Sequence, residues 1–170
     1  MATLKLNNVP VITETAGVAQ VATGLQFPAG HIIQTSALAS STTAATLTST
    51  WGDIGLSQTI TPSSSSSKIL VLCQISVQQY RDSYESFAGI GLQRNSTDIW
   101  MKTQYEGVME AGLSSSSRTF RSAMYPIVYV DAPSSTSAVT YKIIGNAAAG
   151  SASFQTNSTA SSMLLMEIKV

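Results

Sequence analysis

Residues 68–78, KILVLCQISVQ, alternate so strictly that they fit little other than a half-buried β-strand. Ile69, Val71, Cys73, Ile75 and Val77 are apolar without exception, while Leu70, Leu72, Gln74, Ser76 and Gln78 pass from apolar to polar. Successive strand residues point to opposite faces, so the first set predicts a face held in a core throughout. Upstream, Ile54, Leu56, Gln58 and Ile60 keep the same period and stop at Thr61-Pro62, where proline removes a ladder donor. Five serines, Ser63 to Ser67, separate the two runs. A flexible tether has no place between two halves of one core, so the serines read as a turn inside a domain.

At 170 residues the chain suits one domain with a real core. Lys plus Arg and Asp plus Glu number nine each, and charged residues are only 11% of the chain, which builds no field for nucleic acid. Clustered Ser and Thr supply hydrogen-bonding surface without charge. Colloidal repulsion is then weak, and the expected state is an assembly rather than a free monomer. Cys73 is the only cysteine, so no intrachain disulfide is expected. The N-terminal residues lack the apolar stretch of a signal peptide, and no run approaches the roughly 18 apolar residues of a membrane span. Synthesis in the cytoplasm is expected, and the sequons at Asn95 and Asn157 read as chance in so Ser/Thr-rich a chain.

Two regions differ. Residues 1–29 are short and mixed, broken by Pro10, Gly17, Gly24 and Pro28, and predict an extended N-terminal arm. Its apolar residues Leu4, Leu6, Val9, Val11 and Ile12 are candidate partner contacts. Residues 30–170 hold eight or nine short strand candidates with turn signals between them: HIIQTSALA, STWGDIGLSQTI, KILVLCQISVQ, SFAGIGLQR, STDIWMKTQY, RTFRSAMYPIVYV, AVTYKIIG, ASFQTN and SSMLLMEIKV. That pattern predicts an all-β sandwich or barrel. In the last strand Leu164, Met166, Ile168 and Val170 stay apolar while Met163, Leu165, Glu167 and Lys169 turn charged. The first set therefore reads as the core face, with a neighbouring subunit over part of the other. Pro126 predicts an edge or a bulge, and Gly89 and Gly91 a bend or a close backbone approach. The one helical candidate, YEGVMEAGL, contains two glycines that argue against it.

Few residues offer chemistry. His31 is the sole histidine, with no nucleophile elbow or acidic partner beside it, and reads as structural. Cys73 alternates with aliphatic residues, the setting of a small buried hydrophobe rather than a nucleophile. One His and one Cys cannot complete a tetrahedral metal site within a chain, and no phosphate-cradling glycine motif occurs. Neither a metal nor a cofactor is expected. Asp82 with Glu85, or Asp98 with Glu106, would have to converge to serve as a hydrolase pair. Tyr80, Arg81 and Tyr84, in QQYRDSYESF, are residue types favoured at interfaces and form a second candidate binding surface; the loop around Met109 and Leu113 is a third. Trp51 and Trp100 read as core or subunit anchors.

Four stretches carry a family resemblance: FPAGHIIQ at 27–34, TSTWGDIGLSQTITPSSSSSKILV at 48–71, DAPSSTSAVTYKI at 131–143 and SSMLLMEI at 161–168. In these the chain resembles structural proteins of tailed bacteriophages, especially those infecting cyanobacteria, which look like fibre or decoration subunits. The resemblance implies a jelly-roll-like sandwich that assembles as a homotrimer on the virion. The sequence lacks the heptads or long repeats of a fibre shaft. The expectation is therefore a non-enzymatic capsid decoration or cement protein. Its arm would pair with a major capsid protein or another virion subunit by strand addition. The rival is a tail or fibre tip that binds a host surface receptor or glycan through the Tyr80–Tyr84 loop.

Overall fold

The computed structural model describes residues 2–21, 27–81, 86–102, 108–110, 119–147 and 151–170. It is all-β and antiparallel. Three short strands come first, β1 (Thr3–Leu6), β2 (Val9–Thr15) and β3 (Val18–Val21). The remainder builds two sheets from β4 (Ile32–Thr35), β5 (Ala39–Ser41), β6 (Ala45–Leu47), β7 (Gly52–Ile60), β8 (Lys68–Arg81), β9 (Ser86–Arg94), β10 (Thr97–Lys102), β11 (Val108–Glu110), β12 (Thr119–Asp131), β13 (Val139–Ala147), β14 (Ser151–Phe154) and β15 (Ser161–Ile168).

The large sheet runs β4-β15-β8-β14-β6, with β12 on the other side of β8 and β5 beside β15; the small sheet runs β10-β9-β13-β7, with β11 beside β9. Merging strands that continue one another leaves eight ribbons in chain order: β4 to β6, β7, β8, β9, β10 with β11, β12, β13, and β14 with β15. The large sheet then reads first, eighth, third, sixth, and the small sheet second, seventh, fourth, fifth. This interleaving is the jelly-roll order of two Greek keys.

Strand β8 is the spine. Its expected core set, Ile69, Val71, Cys73, Ile75 and Val77, is buried throughout and packs with Ile54, Leu56, Ile90, Leu92, Tyr141, Ile143, Met163 and Leu165 from both sheets. Pro126 sits in unbroken register opposite Gln74 on β12, which is an edge strand, where the missing donor costs no ladder bond. Gly89 and Gly91 mark a close approach. A Cβ at Gly89 would lie 2.8 Å from the Trp51 ring, and one at Gly91 would lie 2.9 Å from Ile144.

Two expectations are corrected. Residues Thr3–Val21 form a three-stranded antiparallel meander rather than one extended arm. Two-residue turns fold it back, with positive φ at Asn7 and Asn8 and again at Ala16 and Gly17. That is the left-handed pair a hairpin turn requires, and Asn and Gly accept it most readily. Asn95-Ser96, read only as a chance sequon, makes the same turn between β9 and β10. Within YEGVMEAGL, the described residues Val108–Glu110 are strand and pair with β9. The C-terminal strand is inverted: Met163, Leu165 and Glu167 face the core at 0% exposure, and Leu164, Met166 and Ile168 lie half-buried on the outer face.

Glu167 explains the inversion and settles the place of the serine tract. The Ser63 backbone N–H and hydroxyl both donate to Glu167 Oε1 at 2.7 Å. With its amide oriented to satisfy the network, Gln34 donates to Oε2 at 2.9 Å and to the Thr61 carbonyl at 3.0 Å. A carboxylate with this many donors can be buried, which hydropathy alone does not foresee. The serines close further on themselves: the Ser67 N–H donates to the Ser64 carbonyl at 3.2 Å, and the Ser64 and Ser66 hydroxyls lie 2.9 Å apart. The tract is a structured turn whose first serine neutralises the burial cost of Glu167.

Candidate functional site

The surfaces, more than any cleft, distinguish this molecule. On the outer face of the small sheet polar groups satisfy one another. Lys142 Nζ lies 3.7 Å from Asp53 Oδ2, the Thr59 and Thr140 hydroxyls are 2.8 Å apart, and Gln93 donates to Asp98 at 2.9 Å. The outer face of the large sheet is different. Cross-strand register places Val128, Leu72 and Leu164 in one row, and Val130, Leu70 and Met166 in the next. Val128 is 72% exposed and Val130 51%, on the edge strand β12. Further along the same face the rows become uncharged and polar: Pro126 with Gln74 and Ser162, Met124 with Ser76, then Ser122 with Gln78 and Ser153. There Gln78 donates to the Ser122 hydroxyl at 3.2 Å, and Ser153 and Thr46 share a hydrogen bond of 2.9 Å. The change from apolar to polar along Leu70, Leu72, Gln74, Ser76 and Gln78 thus runs along this face, with Ser76 itself buried at 5% exposure beside the 156–159 segment.

The meander bears a second uncovered apolar surface. Register sets Leu4 opposite Ile12 and Leu6 opposite Val9, with a bulge after Leu4 that shifts Val11 out of the pairing. Leu4, Leu6 and Val9 are 54–70% exposed and Ile12 41%, while Val11 is half-buried. Four of the five proposed arm contacts are therefore open to solvent, in an element that, among the described residues, pairs with neither sheet of the sandwich. The sheet is pinned by Glu14, whose carboxylate accepts from the Gly17 N–H at 2.6 Å and the Ala2 N–H at 3.2 Å. These backbone donors hold its pKa below the ordinary carboxylate value.

Tyr80 and Arg81 close β8, at the base of the second candidate surface, but their side chains and all of Tyr84, Asp82 and Glu85 lie outside the described residues. The same holds for Glu106, Leu113 and the Met109 side chain, so neither acid pair is tested. Asp98 is exposed on β10. His31 is exposed before β4 with its ring 5.9 Å from that of Phe27, and its carbonyl accepts from the Lys169 N–H. Cys73 is buried, and burial pushes its thiol up to about 12. Trp100 packs on the core and Trp51 lies across Gly89.

Two interior features went unread in the sequence. Asp131 on β12 and Arg94 on β9 bridge the sheets, with Arg94 Nη1 donating to both carboxylate oxygens at 2.9 and 3.0 Å. The Tyr141 hydroxyl donates to the same carboxylate at 2.7 Å. Burial first, and the neighbouring Asp131 second, push the Tyr141 phenol far above its ordinary value. Near the serine turn lies a cavity of about 430 Å³ lined by Phe27, Ile33, Ser63, Ser64, Ser67 and Lys169 among others. The hydroxyl of Ser67 is buried with no hydrogen-bond partner among the described residues.

No family model matches the chain and no curated protein matches it. Among solved structures it is similar to a chain of "Structure of infectious bursal disease virus Gx strain", at 10% sequence identity and a TM-score of 0.35. The match covers 100% of this chain and 46% of that one, so the chain spans about half the length of its structural neighbour. At that identity and score the likeness carries no argument about fold or task.

Proposed function

We propose that this chain is a non-enzymatic structural subunit of a bacteriophage virion, a homotrimeric capsid decoration or cement protein. The observation that carries the reading is the pair of uncovered apolar β surfaces, on the meander and on the outer face of the large sheet. A chain destined to stay free in solution rarely leaves two such surfaces open. The resemblance to phage decoration and fibre subunits points the same way. In this reading the meander is the anchor. Leu4, Leu6, Val9 and Ile12 lie against a shell subunit, and an edge strand of the meander adds backbone hydrogen bonds to a neighbouring sheet. The particle gains stability from buried apolar area and added strand pairing.

The test is deletion of residues 2–28. Among the described residues no strand of the meander pairs with the sandwich, so the truncated chain is expected to keep its β-rich circular dichroism while losing attachment to stripped particles. Full loading of the truncated chain onto such particles contradicts the anchoring role. A second reading, a tail or fibre tip for a host glycan, is favoured by the hydroxyl-lined cavity with Phe27 at its wall, since sugars pair hydroxyl contacts with an aromatic face. Saturable glycan-array binding that Phe27→Ala abolishes would support it over the first.

A further inference from the structure

We propose that the outer face of the large sheet is where copies of this chain meet one another, leaving the meander free for the shell. The inference rests on the reading of the chain as an assembling subunit and assigns one surface within it. Charge is the first argument. From Leu70 to Gln78, five alternate rows across β12, β8 and the β15–β14 ribbon carry no charged side chain, in a protein whose other outer face bears Asp53, Lys142 and Asp98. Protein contacts deplete charge at their centres in this way and keep a polar, solvent-accessible rim. Here the centre is Val128, Val130, Leu70, Leu72, Leu164 and Met166, and the polar flank is Gln74, Gln78 and Ser122, with Ser76 already buried between them.

Area is the second argument. The three ribbons of that patch, about 4.8 Å apart, and its five rows, about 6.7 Å apart, give a face of about 480 Å². A standard interface takes about 800 Å² from each partner. One such face supplies more than half of that. Because the face is uncharged, it meets a second copy of itself without like-charge repulsion, and three faces turned towards a common axis cover one another. Sheets stack face to face in this manner about 10 Å apart, with side chains interdigitated. Rigidity comes from beneath, where Ile69, Val71, Tyr129 and Leu165 alternate with the outer residues and are packed into the core.

The measurement is the solution mass of the full chain by sedimentation, for the wild type and for Val128→Asp. The wild type is expected to be an oligomer, and Val128→Asp a monomer at the same concentration, with unchanged far-ultraviolet circular dichroism because Val128 is 72% exposed. Should that variant fail to fold, Val130→Ser reads the same contact, with assembly shifted to at least tenfold higher concentration. A Val128→Asp chain that keeps the wild-type mass overturns the proposal, as does a monomeric wild type. A variant that keeps its oligomer but no longer loads onto particles assigns the face to a shell subunit and also overturns it. Particle loading of the wild type is scored separately: a monomer that still loads overturns this face alone, and an oligomer that never loads contradicts the virion reading alone.

Discussion

On the outer face of the small sheet Asp53 meets Lys142, Thr59 meets Thr140, and Gln93 meets Asp98. On the outer face of the large sheet Val128, Leu72 and Leu164 stand in one row and Val130, Leu70 and Met166 in the next. Both faces belong to one jelly roll and share one core, so folding imposes the same demand on each. Nothing in the stability of a single copy requires the second face to be apolar. On the proposal made above, the difference marks one side of the sandwich as the solvent face and the other as the face that a second copy covers.

The largest effect is expected where that contrast is removed: Val128→Asp dissolves the assembly. Its control on the wet face, Ser57→Asp at an exposed β7 position opposite Lys142, leaves the assembled mass unchanged and shifts stability by less than about 0.5 kcal/mol. Next is the contrast between a buried and an exposed carboxylate. Asp131→Ala strands the Tyr141 hydroxyl and Arg94, and lowers unfolding stability by about 2–3 kcal/mol. That is less than a fully enclosed pair would lose, because the Arg94 side chain is 28% exposed. Asp53→Ala, by comparison, loses an exposed ion pair with Lys142 and a bond from the Gly55 N–H at 2.7 Å, and costs about 1 kcal/mol or less. Urea midpoints of the two variants read the difference directly.

Smaller effects concern single groups. With its thiol pushed up to about 12 by burial, Cys73 resists alkylation at pH 8 in the folded protein and reacts promptly in denaturant. Rapid labelling of the native chain would contradict the packing of β8. The least effect belongs to Glu14. Its pKa is depressed in the folded state, so its support of the meander is present above the ordinary value of 4.5 and is lost as pH falls through the lowered one. The Gly17 amide proton, bound to this carboxylate, should shift in nuclear magnetic resonance spectra over that acidic range and hold steady above it.

The spine of the fold was legible because β8 is buried on one face along its described length, and burial writes itself as period two. The jelly-roll order was not read from periodicity, since it depends on which strands pair across long loops. The C-terminal strand misled for a definite reason: a core-facing Glu167, paid for by Ser63 and Gln34, hides the inner face, while Leu164 and Met166 imitate it from outside. The meander was legible in principle through Asn7-Asn8 and Ala16-Gly17. Its four-residue strands and Pro10 fell below any periodic signal. The outer face was half visible in the alternation Pro126, Val128, Val130 against Ile127 and Tyr129, where both sets are apolar and parity alone names no side.

The most direct measurement is electron cryomicroscopy of whole particles carrying this chain, at a resolution that shows side chains. Copies are expected to group about threefold or quasi-threefold positions of the capsid, with Val128, Leu72 and Leu164 buried between them, the meander on the shell, and Asp53 and Lys142 in solvent. Particles in which the Val128 row faces water, or in which the chain is absent from the capsid, would contradict this arrangement.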